Sequence, residues 1–180
     1  MTGRRTKYYI DINDAGKEAI FHKDNKDEPV SNWYDRIFTE GLVDGESEYY
    51  RVRQYYGKEA IFHVNNKDNP VSNWYDIIFI FGLIKGQSEY YTVIRHDGKV
   101  AIFHKNDKDN PVSNWHNWVC VKGLVMGESE YYEVSDSDGQ EVVYRLDDKD
   151  NPVESTTLER LCPVCFRIMQ NGKCPFCFGV

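Results

Sequence analysis

Positive charge is in short supply: 22 Lys and Arg stand against 29 Asp and Glu, for a net charge of −7. Broad attraction to nucleic acid or anionic lipid needs clustered cations, so this balance argues against both except as a local contact. A long apolar run is missing too. The leader MTGRRTKYYIDIND follows its two arginines with no hydrophobic stretch, so neither a secretory signal nor a membrane anchor is expected. The expected location is the cytoplasm, with no membrane contact. Absent as well are a Gly-rich phosphate loop, a nucleophile elbow and a His-Glu-x-x-His pair. No catalytic residue is assigned, and the chain reads as a non-enzyme. Cysteine is scarce before the C-terminal segment, where Cys120 stands alone in the apolar stretch WVCV. It reads as an inert packed thiol, because a reactive one needs an electropositive setting.

Hydrophobic residues make up 41% of the chain and aromatic ones 14%, including 13 Tyr and 4 Trp. That is enough for a core carried largely by amphipathic rings. The rings recur. Tyr8-Tyr9, Tyr49-Tyr50, Tyr90-Tyr91 and Tyr131-Tyr132 are each 41 residues apart. The same register aligns AIFH at Ala19, Ala60 and Ala101 with VVYR at Val142, and SNW at Ser31, Ser72 and Ser113 with a degenerate EST at Glu154. A leader (1–7) is therefore followed by copies at 8–48, 49–89 and 90–130, a truncated copy at 131–161 and a cysteine-bearing tail at 162–180.

Within a copy, YYRVRQ and KEAIFHV are β-branched and aromatic segments joined by a glycine turn, which predicts a β-hairpin. Along the second strand Ala60 and Phe62 point one way and Ile61 and His63 the other, so both faces are expected to be covered. In PVSNWYDRIF the apolar residues Val30, Trp33, Tyr34, Ile37 and Phe38 fall at i, i+3, i+4, i+7 and i+8. This spacing predicts a short helix capped by Ser31 or Asn32, and is also compatible with a bent strand. Gly41, Leu42 and Gly45 then form a turn. A unit this small cannot bury its own apolar face, so the copies should stack. The expected fold is mostly β with short helices (α+β): four stacked hairpin-plus-helical-turn repeats, capped by the tail.

The string SNWYDIIFIFGLIKGQSEYYTVIRHDGKVAIFHK resembles the WG-repeat type of bacterial and archaeal β repeat, in which F-x-x-G-L and a G-K strand recur. The resemblance covers about residues 8 to 153. Ala-Ile, as at Ala60-Ile61, stands where that family has Trp-Gly. The resemblance implies a repeat scaffold and brings no catalytic residue with it.

Cys162-Pro-Val-Cys165 and Cys174-Pro-Phe-Cys177 form two knuckles eight residues apart. Four thiolates so spaced can surround one tetrahedral ion at about 2.3 Å. The segment is similar to the small zinc ribbons appended to many prokaryotic proteins, with Asn171-Gly172 as the turn. Four thiolates leave no open coordination position, so the ion is expected to be structural zinc, with rubredoxin-like iron the alternative. The tail carries Arg167 and Lys173 and no acidic residue.

His22, His63 and His104 recur at one position, with Arg145 in the fourth copy, and read as packing or hydrogen-bonding groups. The acidic turns holding Asp27, Asp68, Asp109 and Asp150 lack the glycine and distal glutamate of a calcium loop and read as turn chemistry. Trp33, Trp74 and Trp115, with Tyr50 and Tyr91, are candidate partner-binding rings, joined by Arg167 and Lys173. The leading expectation is a scaffold that binds another protein. A nucleic-acid or ribosome-associated module docking through the tail is the alternative, and sugar or small-molecule binding by the aromatic ladder is a third reading.

Overall fold

The computed structural model describes residues 7–43, 45–121, 124, 127, 129–135, 138–154, 157, 159–164, 167–170, 173–174 and 177. The chain is mostly β. A first sheet holds β1 (Tyr8–Ile12), β2 (Glu18–His22) and β3 (Asn25–Pro29). The second takes β4 (Arg36–Phe38), then after the helical turn α1 (Glu40–Val43) it takes β5 (Tyr49–Arg53) and β6 (Glu59–His63). The third repeats this with β7 (Ile77–Phe79), α2 (Phe81–Ile84), β8 (Tyr90–Ile94) and β9 (Val100–His104). The fourth is β10 (Trp118–Cys120), β11 (Tyr131–Ser135), β12 (Glu141–Arg145) and β13 (Asp148–Pro152). All pairings are antiparallel, and the hairpin register, Tyr49 opposite His63 and Tyr50 opposite Phe62, recurs as Tyr90 with His104 and Tyr91 with Phe103.

The first strand of sheets two to four comes from the copy before, so each of these sheets straddles a boundary of the 41-residue period. This corrects the helix expected at Val30 to Phe38. Val30 donates its amide to Ile20 O at 2.8 Å, and Tyr34 exchanges two backbone bonds with Glu18 at 2.8 and 2.9 Å. Ser31 caps no helix: its buried Oγ accepts the Ile20 amide at 2.8 Å, as Ser72 and Ser113 do for Ile61 and Ile102 at 2.9 Å. The edge of β2 lies in the core, where unpaired backbone groups are costly, and satisfying that edge outweighs a local helical preference. The helical turn forms later instead, at Glu40–Val43, where it sinks Leu42 into the core.

Both faces of the AIFH strands β2, β6 and β9 are buried, as the alternation predicts. Ala60 and Phe62 pack with Ile20, Tyr34, Ile37 and Leu42 of the preceding copy, while Ile61 packs with Ile78, Leu83, Tyr91 and Phe103 beyond it. Ile102 does the same toward Tyr132 and Val134. Every apolar cluster between sheets is thus shared by two copies, which is why one copy has no core of its own. Side chains reinforce the stack. Asn32 Nδ2 reaches Lys67 O at 3.0 Å and Asp68 Oδ1 at 3.4 Å, and Asn73 and Asn114 repeat this on Lys108 with Asp109 and on Lys149 with Asp150.

Candidate metal centre and partner surfaces

Sheet four meets no fifth sheet in the described structure. Val143, in register with Ile20, Ile61 and Ile102, packs instead on the buried Leu161. Leu161 is held by a bridge to Ile168 and by its neighbours, since Cys162 N donates to Arg167 O and Met169 N to Arg160 O, both at 2.7 Å. The residue after Leu161 is Cys162, itself buried. Its sulfur and those of Cys174 and Cys177 lie within 4.8 Å of one another, a cluster able to hold a metal ion. Backbone amides point at two of these sulfurs, from Val164 to Cys162 Sγ at 3.4 Å and from Cys177 to Cys174 Sγ at 3.3 Å. Cys165 and the Asn171-Gly172 turn lie outside the described residues.

Of the expected partner-binding rings, Tyr50 and Tyr91 are buried in the stack and are corrected to core residues. Burial pushes their hydroxyl pKa values well above the usual tyrosine range. In the second, third and fourth Tyr-Tyr pairs the first ring is only half-buried, and Tyr49 and Tyr90 sit edge-on to His63 and His104 at 4.9 and 5.1 Å. Trp33 keeps one edge exposed. Trp74 and Trp115 are half-buried, edge-on to Phe62 and Phe103 and tilted against Tyr34 and Tyr75 of the copy before. The Arg95 guanidinium lies 4.2 Å from the Trp115 ring centroid. Trp74 and Trp115 therefore fasten the stack, and of the three candidate tryptophans Trp33 is the one left exposed. Arg167 is half-buried and Lys173 exposed, the latter next to Cys174.

The histidine row is structural. His63 Nδ1 accepts the Asn65 amide at 3.2 Å, leaving Nε2–H to face Glu48 Oε2 at 3.2 Å. His104 repeats the arrangement with Glu89 at 3.3 Å, and Arg145 takes its place on Glu130. A different histidine, His116, stands where the earlier copies have Tyr34 and Tyr75. It lies 5.9 Å from Tyr144 across the junction of sheets three and four, and its buried Nε2 has no hydrogen-bond partner. Burial, aided by Lys99, holds its pKa below the ordinary imidazole value. Since the unfolded chain takes up this proton first, stability is full above about pH 6.5 and falls as the pH drops through the depressed folded value. Urea unfolding at pH 7.5 and 5.5 should show that loss, and His116→Tyr should remove it.

Sequence reasoning missed the buried carboxylates Glu18 and Glu59. Glu59 is fully buried. Its Oε1 accepts Arg53 Nε at 2.9 Å and Nη2 at 2.5 Å, and its Oε2 accepts Arg51 Nη1 at 2.6 Å and the Ile78 amide of the next sheet at 3.0 Å. Arg51 Nη1 also donates to Ile78 O at 3.2 Å. Glu18 binds the Ile37 amide in the same way at 2.7 Å. The available signal was a glutamate heading an otherwise apolar strand in both KEAIFH segments. No protein-family model matches the chain, and no curated protein matches its sequence. Among the described residues no helix is long and apolar enough to cross a membrane.

Proposed function

We propose that this chain is a non-catalytic repeat scaffold that binds another protein along its stacked sheets, and that its cysteine tail carries one structural zinc ion. Cys162, Cys174 and Cys177 hold the ion together with Cys165, whose place in the set rests on the knuckle spacing. The observation that carries the reading is the sulfur cluster beginning one residue after Leu161, the side chain that covers Val143. Four thiolates at about 2.3 Å from zinc stand about 3.8 Å apart, which fits inside the observed 4.8 Å limit. A saturated thiolate shell offers no Lewis-acid position, so the ion fastens the segment over sheet four and does no chemistry. Shared cores make the stack one extended surface, the kind that repeat proteins use for partners.

Metal analysis of the purified chain should give one zinc per chain, and Cys162→Ser should lose it. Hydrogen exchange of that variant should speed up in sheet four and the tail while sheets one and two keep their protection. A metal-free wild-type chain would sink the zinc half of the reading. A tagged pull-down from native lysate with nuclease tests the other half. A specific protein that survives nuclease supports it, and loss of every partner on nuclease treatment refutes it.

A further inference from the structure

The copies are controls for one another, because a side chain that serves only the stack recurs at the same place in each. Copy two departs from the pattern toward apolar residues at exposed positions in the β5–β6 turn, in β7 and at the start of α2. The β5–β6 turn carries Tyr55 and Tyr56 where other copies have Asp14 and Ala15 or His96 and Asp97. β7 carries Ile77 where β4 has Arg36, and α2 opens on Phe81 where α1 opens on Glu40. Phe79 keeps the aromatic ring of Phe38 but has lost its cover. The Arg51 guanidinium lies 4.0 Å from the Phe38 centroid, whereas the residue opposite Phe79 is Thr92. One sheet along, Trp118 occupies the position of Ile77. These six residues are between 41% and 93% exposed.

Ile77 and Phe79, two apart on one strand, point the same way. The ion pair from Lys58 Nζ to Asp76 Oδ1, at 2.8 Å, ties the tyrosine turn to the start of β7. We propose that this surface is where a second copy of this chain docks about a two-fold axis. Aromatic side chains bury roughly 150–250 Å² each when fully covered, so at their observed exposure the five rings alone supply on the order of 600 Å² per chain. Two such patches reach the size of a specific protein–protein interface, and a monomer rarely leaves so large an apolar area uncovered. The patch also bears no net charge, since its lysine and aspartate are matched. Two chains of net charge −7 can therefore meet here with the Asp76 carboxylate of each already paired to Lys58, on an apolar surface of the kind homodimers use. The contact is side chain on side chain and not strand addition, because the outward N–H and C=O of Ile78 are already taken by Glu59 and Arg51.

Sedimentation velocity and light scattering of the full zinc-loaded chain, from about 1 to about 200 µM, test this. The expected result is a concentration-dependent rise from 21.1 kDa toward twice that mass. Phe79→Glu should weaken the dimer about tenfold or more, and so should Tyr55→Ser at the most exposed position, where folding is untouched. Ile12→Glu, on the exposed part of β1, should leave it intact. A chain that stays at 21.1 kDa throughout overturns the proposal, as does a dimer indifferent to both patch variants. A monomer that instead forms a complex with a foreign protein, lost on Phe79→Glu, would assign the patch to that protein and overturn the second copy.

Discussion

Glu59→Ala should lower the unfolding free energy by about 3 kcal/mol, the loss expected when one partner of a buried ion pair is removed. The reason is what it leaves behind. Arg51, whose side chain is 20% exposed, keeps a charge in the wall of sheet two with no carboxylate, and the Ile78 amide loses its acceptor between sheets two and three. Arg53, at 47% exposure, regains water and adds little. Glu18→Ala should cost only about 1 kcal/mol, since its partner Arg36 is mostly in solvent and chiefly the Ile37 hydrogen bond is lost. The chain also contains its own compensated version of the site. In the next copy Thr92, Ile94 and Val100 stand where Arg51, Arg53 and Glu59 are. Transplanting all three together should recover the part of the loss that comes from the unpaired Arg51, while the Ile78 amide still lacks its acceptor, because an uncharged set replaces a buried ion pair at little cost. Urea unfolding of the single and triple variants, followed by circular dichroism, measures both. A Glu59→Ala chain as stable as wild type would show that the pair does not hold the two sheets together.

The second large effect is expected at Gly86. Its φ is +64°, and a Cβ there would stand 2.6 Å from the backbone oxygen of Glu46 in the preceding copy. Left-handed backbone alone costs an alanine about 1 kcal/mol. Here the obstacle is also main chain and cannot rotate away, so the two copies must separate, and Gly86→Ala should destabilise by about 3 kcal/mol in all. Gly57→Ala is the control. Its φ is +85°, yet no atom lies within 4 Å of the added carbon, so only the backbone cost remains. Thermal unfolding of the two variants side by side separates close approach from strain, and equal shifts would mean that the contact with Glu46 yields freely. A Cβ added at Gly127 would collide with Gln87 O in the same way, so Gly127 belongs with Gly86.

The sequence by itself determined whatever depends on residues close together in the chain. The 41-residue period, the hairpins with their glycine turns, the two-sided burial of AIFH and the paired Cys-x-x-Cys spacing all follow from local alternation, turn chemistry and ligand geometry. Tertiary structure alone decided where local signals compete with distant partners. Val30 to Phe38 has helical spacing, but its backbone bonds go to β2 and to the next hairpin, and a periodicity cannot announce an open edge elsewhere. Alternation says that the two rings of a Tyr-Tyr pair face opposite ways, yet Tyr50 and Tyr91 are the buried ones because the preceding copy lies on that side. Asp68, Asp109 and Asp150 look like turn residues and also serve as acceptors for asparagines 36 residues earlier. Likewise the tail's spacing points to a cysteine cluster that could hold a metal ion, while only the stack shows that Leu161, beside Cys162, covers Val143. Hydrogen bonds and burial between copies are settled by which surfaces the stack brings together, and that information is absent from any single stretch of the chain.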